Sequence, residues 1–409
     1  MFHKLLLFVV LLLSVSANGA SLQSYLKSAI QNNHNIIAAE HRFDSAEAKI
    51  DFVGGLPDPQ LRLGISLQPI ETRLGSQSHS LSLSQQFPMW GKRGLQTERQ
   101  RLVSEIDGAY LAGVKASVLG DVEILWWELA TLDYSVEKTL EHQKLVAAQL
   151  EVAEAGYSSG GEYSDIIDVK LANDIVADSV AELRSKRIPL ISKLFAMTTL
   201  SGSPDAVWQQ WTPFVPELDQ LLSKLNEAPE LLVAVGNSKV AESSVELAGK
   251  RKLPDLTTGI DWVAIDERDI DMDNNGSDAV IARIGFNLPI WGGQNKAAEQ
   301  SAAAHYAFTQ SIENNTRLLL IAELESLVSK CESAVRRHKL YNENLLPQAE
   351  EAVLVISAAY ESGHSGFADL IDAQKRVLDY ELEFSKACLD GRTAISRMNI
   401  ILGNLPEGI

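Results

Sequence analysis

Two pairs of aspartates carry the charge pattern best suited to chemistry. Asp165 and Asp168 follow Tyr157-Ser158-Ser159-Gly160, and Asp369 and Asp372 follow Tyr360-Glu361-Ser362-Gly363 about half a chain later. Residues three apart share one helix face, so each pair presents two carboxylates together. Near a helix start, such a pair either attracts cations or partners the positive end of the helix dipole. The residue types leave both readings open.

The other candidates are weaker. Cys331 and His338 stand seven apart on an apolar seam and read as core packing rather than as a metal site. Asp271-Met272-Asp273-Asn274-Asn275-Gly276 copies the opening of an EF-hand loop, but Ala282 stands where the bidentate Glu belongs. There is no nucleophile elbow, phosphate-binding glycine loop or His/Cys ligand cluster, so the chain reads as a non-enzyme that needs no cofactor or metal.

The bulk properties narrow the class. A net charge of −18 argues against nucleic acid as a partner, because phosphates would be repelled. With 45% hydrophobic residues the chain folds, and two cysteines are too few for a disulfide framework. Residues 1–20, with Lys4 ahead of the apolar run Leu5 to Leu13, read as a secretory signal peptide. No later apolar run approaches the roughly 18 residues of a membrane-spanning helix, so any entry into a membrane must use strands.

The elements that must position the aspartates occur twice. The first repeat, 21–200, has two short helices, a strand hairpin over about 59–88 and a helical hairpin over about 94–200. In the hairpin, Leu61, Leu63, Ile65 and Leu67, then Leu81, Leu83 and Phe87, alternate with polar or small residues, the period of a strand with one apolar face. A loop is expected from Pro69 to Ser78. Ser21 and Ser164 are placed to cap helices. Residues 201–229, with Pro204, Pro213, Pro216 and Pro229, read as an irregular connector.

The second repeat, 230–402, has a helix, a strand hairpin over about 255–289 and a helical hairpin over about 293–402, before a tail at 403–409. Leu253-Pro254-Asp255 repeats Leu56-Pro57-Asp58, and Leu288-Pro289-Ile290-Trp291-Gly292 repeats Phe87-Pro88-Met89-Trp90-Gly91. Leu320, Leu324, Leu327, Cys331, Ala334 and His338 keep a step near 3.5, and so do Leu370, Ala373, Val377, Tyr380 and Phe384, the spacing of helices that supercoil. Pro347 should bend or loosen the first of these helices. Trp90 and Trp291 suit either a membrane-interface belt or packing at the strand-to-helix junction.

This ordered, duplicated set of Leu-Pro-Asp, Pro-x-Trp-Gly and Tyr-x-x-Gly…Asp-x-x-Asp segments resembles the TolC-type outer membrane efflux protein family over nearly the whole chain. The resemblance implies a mainly α protein with a small β part: a long coiled-coil helical barrel plus four amphipathic strands per protomer, closing a twelve-stranded barrel as a homotrimer. It implies an exit duct in the outer membrane with a long periplasmic extension, working with a periplasmic adaptor and an inner-membrane pump of the RND type. Four strands cannot close a barrel alone, so the strand count independently requires oligomeric closure.

Carried onto this sequence, the resemblance makes Asp369 and Asp372 the periplasmic gate, with Asp165 and Asp168 at the corresponding place of the first repeat. Three-fold symmetry would set six carboxylates around one axis. It also makes Tyr157, Gly160, Tyr360 and Gly363 adaptor-docking tips. Ser365 and Gly366 lack the basic residue that some members carry there. Residues Pro57 to Arg93 look most like members that serve heavy-metal cation pumps. The rival reading is a periplasmic coiled-coil adaptor or scaffold without a pore, for which one helical hairpin would suffice.

Overall fold

A computed structural model of the chain describes residues 21–406 except 203, 270, 272 and 363. The signal segment, Gly363 and tail residues 407–409 therefore lie outside the described residues. Four strands form one antiparallel sheet in the order β1 (Gln60–Thr72), β2 (Gly75–Phe87), β3 (Leu256–Asp266) and β4 (Ala279–Phe286). Leu63 pairs with Leu81, Leu81 with Trp262 and Trp262 with Val280; one step along, Leu61, Leu83, Ile260 and Ala282 line up. These residues make one continuous apolar face, with Leu63 71% and Ile284 73% exposed. β1 and β4 each keep an unpaired outer edge.

The loop expected at 69–78 shrinks to Arg73 and Leu74. Ile70, Glu71 and Thr72 pair with Gln77, Ser76 and Gly75 through the backbone ladder, with the Thr72 hydroxyl donating to the Gly75 carbonyl at 2.6 Å, and the segment lacks the side-chain alternation that marks a strand. Gly75, at φ +137°, turns where any Cβ would overlap the Asp266 carbonyl.

The helices are α1 (Leu22–Asn32), α2 (His34–Gly54), α3 (Lys92–Ser158), α4 (Tyr163–Thr198), α5 (Leu218–Lys224), α6 (Pro229–Lys250), α7 (Gly292–Lys339), α8 (Leu346–Glu361) and α9 (Phe367–Leu402). None of them is long and apolar enough to cross a membrane. Asn33 separates α1 from α2 as a true N-cap, its side chain accepting from the Asn35 N–H at 2.9 Å. Ser164 is not a cap: Glu162 holds that position, and Ser164 lies inside α4 with its hydroxyl on the Glu162 carboxylate. Ser21 stands at the start of α1 but makes no capping hydrogen bond.

α3 runs 67 residues, about 100 Å at 1.5 Å per residue. It packs on α2, α4, α6 and α9, and α9 packs in turn on α7 and α8. The connector is less irregular than its prolines imply, because α5 and a 3-10 turn at Leu225–Glu227 form within it. Leu225 and Ala228 join Trp211, Leu324, Cys331, Phe384 and Met398 in one core cluster, while Tyr25, Leu119, Val122 and Trp126 centre a second. Between α7 and α8 the chain widens into a π-helical turn, Leu340–Leu345, just before Pro347. A proline clashes with the carbonyl four residues back, and the wider turn absorbs that conflict.

Candidate functional site

The two Tyr-x-x-Gly turns meet at one end of the molecule. Ile166 and Val169 of α4, Phe367 and Ile371 of α9, and Val146 and Ala153 of α3 share an apolar cluster that binds the tips together. Tyr360 meets the Phe367 ring at 5.4 Å, and Tyr157 meets Tyr163 at the same distance. Gly160 takes φ +105°, and the Gly161 N–H donates to the Gly156 carbonyl at 2.9 Å, closing a tight first turn.

The four aspartates separate by environment. Asp165 and Asp369 are both third residues of their helices, yet only Asp369 acts as a cap. Its Oδ2 accepts from the Ser365 hydroxyl at 2.8 Å and from the Gly366 N–H at 3.2 Å, satisfying a donor at the helix start. Asp165 makes no such bond. Burial, then the neighbouring Glu162 and Asp168 charges, raise its carboxyl above the usual range. Tyr360 is raised as well, by burial and by the nearby Asp165 charge.

Asp168 and Asp372 line one groove of about 480 Å³ that runs between α4 and α9 over a floor of α3. The carboxylates that share a site are therefore one from each repeat, rather than the neighbours three apart in sequence. Lys375 and Asp379 continue the α9 wall, and Glu182 faces them with its charge held by Lys186 at 2.6 Å. His142 forms part of the floor. Burial pushes its imidazole below the ordinary value, against the pull of the Asp379 carboxylate. No three metal-ligating side chains converge among the described residues.

The sequence reading missed His142 and Asp379. Asp372, Lys375 and Asp379 continue one stripe at steps of three and four, a usable signal, whereas His142 comes from another helix and leaves none. A second omission lies in the sheet, where Arg283 pairs with Asp261 across the polar face at 2.5 Å. At the strand-to-helix junction the Trp90 indole donates to the Pro254 carbonyl at 2.6 Å, while Trp291 stays 68% exposed. His338 is buried as expected, between the Trp211 and Phe384 rings, and neither of its nitrogens is hydrogen-bonded.

Comparison with known proteins bears out the family resemblance read from the sequence. The chain is 24% identical over 406 residues to the cobalt-zinc-cadmium resistance protein CzcC of Cupriavidus metallidurans, covering 95% of this chain and 91% of that one. It is 24% identical over 334 residues to the outer membrane protein TolC of Vibrio cholerae, covering 76% and 69%. Its fold matches the crystal structure of the outer membrane protein VceC of Vibrio cholerae with a TM-score of 0.79 at 17% identity, over 94% of this chain and 96% of that one. The model of the outer membrane efflux protein family matches residues 25–173 and 221–404, and the chain belongs to that family.

Proposed function

We propose that three copies of this chain close a twelve-stranded barrel and act as the exit duct of a heavy-metal cation efflux system, gated at the helical tips. The outer-membrane setting and the role as a duct beside an adaptor and a pump follow from the family. The trimer, an RND-type pump, the metal cargo and the gate are the added steps. The observation that carries the reading is the four-stranded sheet with one largely apolar, exposed face and two unpaired edges. Such edges are untenable in a bilayer unless neighbouring copies complete the ladder.

The metal cargo is supported by the likeness to CzcC. At the tips, Asp372 and Asp168 are the gate carboxylates that a cation would meet, with Asp165 and Asp369 shaping the helix starts behind them. Tyr157, Gly160, Tyr360 and Gly363 belong to the turns offered to an adaptor. The adaptor reading of the chain itself is set aside, since the chain belongs to the outer membrane efflux protein family and carries paired strand hairpins and two helical hairpins.

Detergent extraction should yield a heat-modifiable trimer that conducts in planar bilayers, and its deletion should sensitise cells to cobalt, zinc and cadmium. A monomer released by osmotic shock would overturn the duct. Sensitisation to organic compounds alone would overturn the cargo.

A further inference from the structure

Beneath the sheet lies a groove of about 850 Å³, between the first turns of α3 and α7 and the last turn of α6. Lys92, Arg99, Arg251 and His305 are its basic lining residues, and Asp255 is its only acidic one. Lys92 is bound to Asp255 at 2.8 Å, with side chains only 11% and 13% exposed, so these two charges cancel. Arg99 and Arg251 are exposed, and neither guanidinium has an ion-pair or hydrogen-bond partner among the described residues. The groove is thus a net positive surface on a chain of net charge −18.

Strand parity shows which way it opens. Asp255 and Asn287 extend β3 and β4 by one residue, with the Asn287 N–H donating to the Asp255 carbonyl at 3.3 Å. They share the parity of Gly259 and Asp261 and of Arg283 and Gly285, the polar face, whereas Leu256, Ile260, Ile284 and Phe286 make the apolar one. The groove therefore opens on the polar side, into the duct, and this direction alone rests on the duct reading. Arg62, hydrogen-bonded to Gln60, lies on that same polar face of the sheet.

We propose that this groove is a binding site for multivalent oxyanions, whose phosphate or carboxylate groups are free or already ligated to a cation. A guanidinium fork matches two oxygens of either group. The lining amides of Gln96, Gln294 and Asn295 add neutral donors. Anionic cargo would then be held just below the barrel, at a level distinct from the carboxylate groove at the tips.

The test is calorimetric titration of the detergent-solubilised, full-length protein with pyrophosphate, alongside pyrophosphate block of bilayer conductance. Saturable binding that weakens with salt is expected. Arg99→Gln and Arg251→Gln should each weaken it by about tenfold, the scale of one lost charge-assisted contact. Arg99→Lys should retain most of it, and Arg101→Gln, outside the groove, should change nothing. Absent binding, or equal binding by the Arg99→Gln/Arg251→Gln double variant, would overturn the site. So would phosphatidylglycerol in nanodiscs displacing pyrophosphate, because the groove would then face lipid. A protein that binds pyrophosphate but never conducts would sink the duct while leaving the site intact.

Discussion

The two tips begin from nearly the same sequence and end in different chemistry. In each, an aspartate stands third in its helix and another three residues later. In the second tip Ser365 precedes the N-cap Gly366, and both donate to Asp369. In the first tip the position matching Ser365 is Gly161, where a Cβ would lie 2.9 Å from the Gly156 carbonyl oxygen. The tighter turn thus forbids the serine. Glu162, the N-cap, then adds a like charge, and Asp165 is left raised and uncapped. Capping is therefore a property of the turn in front of a helix as much as of the residue at its third position.

The sharpest test of this contrast is electrical. Asp168 and Asp372 share a groove, so changing both to Asn should weaken multivalent-cation block by about tenfold and either alone by about threefold, as expected for charges acting together. Asp369→Asn should change block by less than about twofold, because its carboxylate is already engaged. Equal effects at positions 369 and 372 would erase the distinction.

Stability comes next. Gly161→Ser should cost about 1–3 kcal/mol rather than create a cap, as steric conflict at a fixed turn does. Asp369→Ala should cost about 1 kcal/mol through the lost cap. Hydrogen exchange over 157–170 and over 362–373 would read these separately, and a stabilising Gly161→Ser would refute the steric account.

The smallest effect is that of pH on the first tip. Because the Asp165 carboxyl is raised, the folded tip binds its proton more firmly than the unfolded chain does. Its contribution is complete below the ordinary carboxylate value of about 3.9 and is lost as pH rises through the raised one. Asp165→Asn should slow exchange at the first tip near neutral pH and leave it unchanged in acid. An identical pH profile in the variant would remove Asp165 as the cause.

Much of the architecture was legible because it is written in local periods. Leu61-x-Leu63-x-Ile65 marks a strand wherever it lies, and Leu320 to His338 marks a supercoiling helix. The strand extension through Thr72 was not legible, since its pairing uses backbone groups that every residue carries. α5 was hidden among prolines, whereas Pro347 marked where its helix would loosen but not that a π-helical turn would do it.

For the site, residue types and spacing determined that two carboxylate pairs close two like turns, and that the chain repeats itself. Tertiary structure alone decided that Asp168 would face Asp372, that His142 would floor their groove, and that Arg99 and Arg251 would line one groove without partners among the described residues. The physical reason is distance along the chain. A helix face follows from neighbours three and four residues away, whereas the field at a carboxylate follows from whichever helix packs beside it.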